Sequence, residues 1–165
     1  MKKVFLVLVA VIAFSFTAKA QFTPSVALTA AIPVGDVKDQ SNFALSADVY
    51  FMKNVAENFD LGLTTGYTNY FGKDFDNGIA TVEGENVSFL PLAGAFRFGL
   101  SEDFSIGADL GYAFGLTDGI DGGFYYKPVV GFNIGESNQL MLSYQGVSVD
   151  GGTYNYIGLG FAFGM

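Results

Sequence analysis

The chain has 165 residues, with eight basic and sixteen acidic side chains, half of its residues hydrophobic, and no cysteine, histidine or tryptophan. The acidic balance excludes a nucleic-acid partner, and the missing cysteine excludes disulfides as the source of stability. The missing histidine removes the usual base for activating serine or water.

The first segment, "MKKVFLVLVAVIAFSFTAKA", has a basic start at Lys2 and Lys3 and an apolar run over residues 4–16. It closes on Ala18-Lys19-Ala20, a small-x-small cleavage pattern. This predicts a secretory signal peptide over residues 1–20; the run is shorter than the roughly 20 residues that a membrane-spanning helix needs. The expected mature domain covers residues 21–165. Loss of Lys2, Lys3 and Lys19 leaves five basic residues against sixteen acidic ones, a formal charge of −11.

Beyond residue 21 the pattern is period-2 alternation with almost no helical periodicity, which predicts eight strands. The first shows Val26, Leu28, Ala30, Ile32 and Val34 on one face, and the second Phe43, Leu45, Ala47, Val49 and Phe51. The third carries Phe59, Leu61, Leu63, Thr65 and Tyr67; the fourth Leu90, Leu92, Phe96, Phe98 and Leu100. The fifth runs from Phe104 through Ile106, Ala108, Leu110 and Tyr112 to Phe114. Phe124, Tyr126, Val130, Phe132 and Ile134 mark the sixth, and Leu140, Leu142 and Tyr144 the seventh. The eighth ends the chain, with Ile157, Leu159, Phe161, Phe163 and Met165 alternating with Gly158, Gly160, Ala162 and Gly164. Short connections ("MKNVAENF", "LSEDF", "GESNQ") alternate with longer ones ("GDVKDQSN", "YFGKDFDNGIATVEGEN", "GLTDGIDGG", "VSVDGGT"), as up-and-down hairpins require.

The face opposite the large apolar residues is small: Gly62, Thr64, Gly66; Ala93, Ala95; Gly107, Gly111; Gly158, Gly160, Ala162. Glycine packs nothing and makes a poor solvent-facing surface, but it suits the inside of a narrow barrel. The large apolar face then points outward, which is tolerable only in lipid. Closure is compulsory there, because an open edge would leave backbone groups unpaired in hydrocarbon. The expected fold is an all-β, eight-stranded antiparallel up-and-down transmembrane β-barrel. With a periplasmic N-terminus, Tyr67, Tyr70, Tyr112, Tyr125, Tyr126, Tyr144, Tyr154 and Tyr156 gather near the outer rim, and most strand phenylalanines near the inner one, as two aromatic girdles. Pro91 and Pro128 each remove a ladder donor, so bulges or ladder breaks are expected at both.

In mature length, strand count, the "AIPVGD" end of strand one, "GYTNYFGKDFDNG", "GGFYYKPVVGF" and the C-terminal strand, residues 21–165 resemble the OmpA/OmpX-like eight-stranded barrels of Gram-negative outer membranes. The resemblance implies an outer-membrane location and lipid contact. It also implies recognition of the last strand by the barrel assembly machinery, although Met165 stands where that family usually has Phe or Trp. It does not imply one function, because such barrels include structural proteins, adhesion factors, small pores and lipid-modifying enzymes.

Without histidine and without a Ser-x-x-Lys motif at a rim, the chain is expected to be non-enzymatic and to need no cofactor. "KDFDNG" (Asp74, Asp76, Asn77) and "TDGIDGG" (Asp118, Asp121) carry oxygen ligands near calcium-loop spacing. Neither continues to the required glutamate, and Asn-Gly and Asp-Gly are hairpin residues, so no metal site is expected. The outer loops place nine acidic residues against Lys38 and Lys73, a net −7.

Alternation turns five charges inward: Asp48, Asp60, Arg97, Asp109 and Lys127. Buried charges without partners are costly, so one paired network of all five is expected, with Tyr50, Tyr125, Met141 and Gln145 filling the rest. An eight-stranded barrel is just wide enough for side chains to fill. The sequence therefore favours a monomeric outer-membrane barrel with a plugged lumen and a structural or surface-interaction role. A narrow pore for small solutes or cations is the second possibility, and a secreted soluble barrel carrying an apolar ligand the third.

Overall fold

The computed structural model describes residues 22–76, 81–82, 84–135 and 137–164, with the backbone alone at 75–76 and 81–82. The expected signal peptide, Gln21 and Met165 lie outside the described residues, as do Asn77 and Gly78, the Asn-Gly pair read above as hairpin residues.

The chain forms β1 (Thr23–Val34), β2 (Ser41–Ala56), β3 (Phe59–Gly72), β4 (Phe75–Asp76), β5 (Thr81–Val82), β6 (Val87–Gly99), β7 (Phe104–Gly115), β8 (Gly122–Asn133), β9 (Asn138–Val149) and β10 (Gly152–Phe163). Eight of these close into an antiparallel barrel in the order β1-β10-β9-β8-β7-β6-β3-β2, while β4 and β5 pair with each other outside it. The first and last strands seal the ring from Val26↔Phe163 to Val34↔Asn155. No ladder edge remains among these eight strands, as a lipid environment demands.

The connections differ sharply between the two ends. At the end that holds the termini, β2 turns into β3 through residues 57–58, where Asn58 takes φ +62°. β6 turns into β7 with the Leu100 amide donating to the Phe104 carbonyl at 2.8 Å. At the opposite end, residues 35–40, 73–86 and 116–121 make longer loops. The last connection there departs from expectation. β9 runs to Val149 and β10 starts at Gly152, so "VSVDGGT" is strand closed by a two-residue Asp150-Gly151 turn, with Gly151 at φ +97°. Only glycine adopts that φ freely, and Asp-Gly is a favoured pair for such hairpins.

Beyond β3 and β6 the long connection carries a short ribbon. Phe75↔Val82 and Asp76↔Thr81 continue the register set by Tyr70↔Val87. Residues 77–80, between the two ribbon strands, lie outside the described residues. Below it, Asp74 Oδ1 accepts from the Gly84 amide at 3.0 Å and Asn86 Oδ1 from the Gly72 amide at 3.0 Å. Asp74 thus clamps a loop.

Both prolines interrupt one ladder and keep the other. The β3–β6 pairing skips from Thr65↔Leu92 to Thr68↔Phe89 around Pro91, and β8–β9 skips from Tyr126↔Gly146 to Val129↔Ser143 around Pro128. Register is the same on either side, and the other neighbours stay paired (Pro91↔Ala113, Pro128↔Ala108). A missing N–H affects only the strand it would have faced. The register shifts occur in β2, at Ser41/Phe43 and Asn54/Ala56.

Burial runs in reverse of a soluble barrel. Leu28, Ile32, Leu63, Leu92, Phe124, Leu142 and Leu159 are exposed on the outer face, Ile32 to 70 %. The largest fully buried side chains, Tyr50, Tyr70, Tyr125, Tyr156, Phe89 and Lys127, point into the ring. An apolar surface of that extent is stable only against lipid. One outer-face glycine has a specific task. At Gly146 a Cβ would fall inside the Tyr126 ring, which lies over the glycine and donates from its hydroxyl to Asn155 Oδ1 at 3.2 Å.

The long-loop end is tied across the closing seam by Asp36. Its Oδ2 accepts from the Thr153 amide at 3.3 Å and the Thr153 hydroxyl at 3.1 Å. Asp36→Ala should speed amide exchange at Thr153 severalfold while lowering global stability by no more than about 1 kcal/mol. Hydrogen exchange read by NMR checks this, and an unchanged Thr153 rate would show that the tie is idle.

Candidate functional site: the barrel lumen

The lumen is built by parity. On β2 the even positions Ser46, Asp48, Tyr50 and Met52 face inward, on β8 the odd positions Tyr125, Lys127 and Val129, and on β9 Gln139, Met141, Ser143 and Gln145. Small residues on adjacent strands make room for these. A Cβ at Gly66 would meet Asp48, and one at Gly107 would meet Arg97.

Four of the five expected charges form two ion pairs. Arg97 Nη1 donates to Asp109 Oδ1 at 2.7 Å, a diagonal across the β6–β7 hairpin. Lys127 Nζ donates to Asp48 Oδ2 at 2.6 Å. All four side chains are at most 4 % exposed. In register Lys127 sits beside Asp109, yet its ammonium reaches Asp48 on β2, four strands away around a ring of eight. That pair spans the barrel. The Ser46 hydroxyl also donates to Asp48 Oδ2, at 2.9 Å.

Tyr50 joins the two pairs by position. It lies two residues from Asp48 on β2, and its hydroxyl crosses to Asp109 Oδ2 at 3.0 Å. The Arg97 guanidinium carbon lies 5.2 Å from the centre of its ring, a cation–π contact in a desolvated setting. Asp60 stands apart from the single five-member network expected. It is half-buried at the termini-end mouth and, although opposite Arg97 in register, accepts from Asn54 Nδ2 at 3.0 Å. A carboxylate at the mouth is hydrated, so nothing compels it to seek the buried cation.

Towards the long-loop end the lumen is filled by neutral groups centred on Gln145. Its Oε1 accepts from the Tyr156 hydroxyl at 2.8 Å and the Tyr125 hydroxyl at 3.4 Å. Its Nε2 reaches Thr68 Oγ1 on the opposite wall at 3.5 Å. Above it Tyr70 donates to the Tyr154 carbonyl at 3.1 Å and packs edge-on against Phe89. Tyr125, Met141, Gln145 and Tyr50 are the expected fillers, and all are buried.

Tyr70, Tyr125 and Tyr156 are a correction, because the sequence reading placed them in an outer aromatic girdle by height alone, Tyr125 although it was also expected as a lumen filler. Their parity carried the missing signal: Tyr70 is in phase with Gly66 and Thr68, and Tyr156 with Gly158 and Gly160, all inward positions. Phe89 and Val147 were legible the same way. Tyr67 and Tyr112 do face outward, each more than 40 % exposed.

Not every lumen atom is paired. Asp48 Oδ1, Arg97 Nε and Nη2, Gln139 Oε1 and Ser143 Oγ have no hydrogen-bond partner. Among the described residues no three carboxylates are grouped to hold a metal ion. The four buried charges neutralise one another in two pairs.

No family model matches the sequence, and neither does the sequence of any curated protein. Solved structures do share its shape. The outer membrane protein Ail of Yersinia pestis in a phospholipid bilayer nanodisc aligns with a TM-score of 0.61 at 12 % identity, over 86 % of this chain and 98 % of that one. Neisserial surface protein A gives 0.57 at 12 % identity, over 88 % and 98 %. A de novo designed transmembrane β-barrel gives 0.57 at 12 % identity, over 88 % and 97 %. With this identity what is shared is backbone architecture, and a designed barrel among the matches carries no inherited function. The chain has the fold of the small eight-stranded outer-membrane β-barrels, the OmpA/OmpX-like architecture that its sequence resembles.

Proposed function

We propose that the protein is a non-enzymatic, monomeric barrel of the bacterial outer membrane whose own side chains plug its lumen. Its role is then structural or lies at its surface loops. The observation that carries this reading is the Lys127–Asp48 pair, which crosses the lumen between opposite strands. Layers of Tyr50, Gln145, Tyr156 and Tyr70 stand above and below it. A hydrated ion passing through would have to break a buried pair costing several kcal/mol, roughly 3–5. The apolar exterior supports lipid contact, and the alternation in β10 supports hand-over by the barrel assembly machinery.

The long-loop end would face outward. Asp36, Asp39, Asp74, Glu85, Asp118, Asp121 and Asp150 lie there against Lys38 and Lys73. Ail of Yersinia pestis has been solved with the heparin analogue sucrose octasulfate. A polyanion of that kind would be repelled by these loops, so any surface partner of this chain is neutral or cationic.

Purified protein in planar bilayers should show no steady conductance. Stable cation-selective channels from the unmodified chain would overturn the plug and leave a small-solute pore.

A further inference from the structure

The lipid-facing wall is not uniform. Across β9, β10, β1, β2 and β3 it carries an open groove of about 800 Å³. The groove runs between two register rows of outward side chains. One passes from Leu140 through Phe161, Leu28 and Ala47 to Tyr67, the other from Leu159 through Ala30 and Leu45 to Asn69. Ala47 and Ala30 make the hollow, each set between larger neighbours. Leu140 stands near the termini end of β9 and Asn69 near the long-loop end of β3, so the groove climbs the wall obliquely. Four steps between strands, each about 4.8 Å, make it about 19 Å long, enough for an acyl chain filling one leaflet of about 15 Å. It is continuous with the apolar belt, so hydrocarbon is what reaches it.

Its upper end is polar. Asn69 Oδ1 accepts from the Ser88 hydroxyl at 2.6 Å and the Tyr67 hydroxyl at 3.4 Å. Among the described residues nothing accepts from Asn69 Nδ2, and an apolar belt offers those protons little besides a lipid carbonyl. Phe43 and Phe71 stack next to it with ring centres 4.3 Å apart. Lys73 follows the end of β3, and its amide donates to the Gln40 carbonyl at 2.8 Å, which joins loop 35–40 to loop 73–86. Those two loops hold Lys38 and Lys73, the only basic residues at the long-loop end, together with Asp39, Asp74 and Glu85. A headgroup with several phosphates would be repelled by these carboxylates, whereas one phosphate plus one ammonium finds a partner for each charge.

We infer that this groove holds one glycerophospholipid of net zero charge from the leaflet at the long-loop end. An acyl chain lies along the Ala47–Ala30 hollow, an ester carbonyl accepts from Asn69 Nδ2, and the phosphate meets Lys73. The order of chain, ester and phosphate in the lipid repeats the order of hollow, amide and ammonium leading up to β3 and its loop. The site is on the outside of the barrel, beyond the structural role proposed above, and stands whether or not the lumen conducts.

Native mass spectrometry tests it on the full barrel, extracted from vesicles with equal amounts of phosphatidylethanolamine, phosphatidylglycerol and lipid A. One phosphatidylethanolamine should stay on each barrel. Ala47→Phe, which fills the hollow, should abolish that adduct, while Ala108→Phe, an outward alanine on β7, should leave it intact. Lys73→Gln, in a loop, should weaken retention about fivefold. Heat-modifiable migration checks that each variant is folded. The absence of a discrete adduct, or equal loss from Ala108→Phe, would make the contact ordinary annular lipid and overturn the site. Retention unchanged by Lys73→Gln, or preference for phosphatidylglycerol or lipid A, would overturn the headgroup assignment.

Discussion

Lys127→Ala is expected to destabilise the barrel by about 3–5 kcal/mol, the cost of stranding a buried carboxylate. Asp48 is 1 % exposed and one of its oxygens already lacks a partner. Removing the ammonium would leave it only the Ser46 hydroxyl at 2.9 Å. The lost stem adds to the cost, because Lys127 ranks among the largest fully buried side chains and leaves a cavity that a closed ring cannot collapse into. Urea unfolding in lipid vesicles, followed by tyrosine fluorescence and by heat-modifiable migration, measures the loss. A second variant separates charge from volume. Asp48→Asn with Lys127→Met keeps shape while removing both charges, and should recover most of the stability, since a buried pair replaced whole is often neutral. A loss below about 1 kcal/mol for Lys127→Ala would mean that water reaches Asp48, and the barrel would not be sealed at that level.

That pair also marks where sequence reasoning stops. Alternation assigned Asp48, Arg97, Asp109 and Lys127 to the inside correctly, because period 2 leaves a residue only two faces to choose from. The Arg97–Asp109 diagonal was legible too, since it depends on nothing beyond the turn after Leu100. Lys127 differs: its register neighbour is Asp109, and only ring closure brings Asp48 within reach from the opposite wall. Closure is a property of all eight strands together, so no local pattern encodes that contact. Asp60 shows the complementary limit. It has the parity and height to join Arg97, yet a mouth position hydrates it and Asn54 takes it up. The tyrosines fail for a simpler reason. Tyr70 and Tyr156 were grouped by height when parity had already turned them inward.

Leu142→Arg is expected to cost about 2–4 kcal/mol in a bilayer, while Leu100→Arg should cost about 1 kcal/mol or less. The two leucines have similar exposure, 52 % and 59 %, so a soluble barrel would treat them alike. Depth distinguishes them. Leu142 lies near the middle of β9, between Val130 and Leu159 on the neighbouring strands, all outward and apolar. Leu100 follows the end of β6 at the turn into β7, where a long cationic side chain can reach the interface. The measurement is the folding free energy of each variant in vesicles, with the same variants in detergent micelles as reference. In water, arginine in place of an exposed leucine would be neutral or favourable. Equal and small costs for both variants would remove the lipid belt and restore the soluble, ligand-carrying barrel. A large cost at Leu142 alone can arise only if that strand face meets hydrocarbon, because the inward neighbours Met141 and Ser143 are untouched by the substitution.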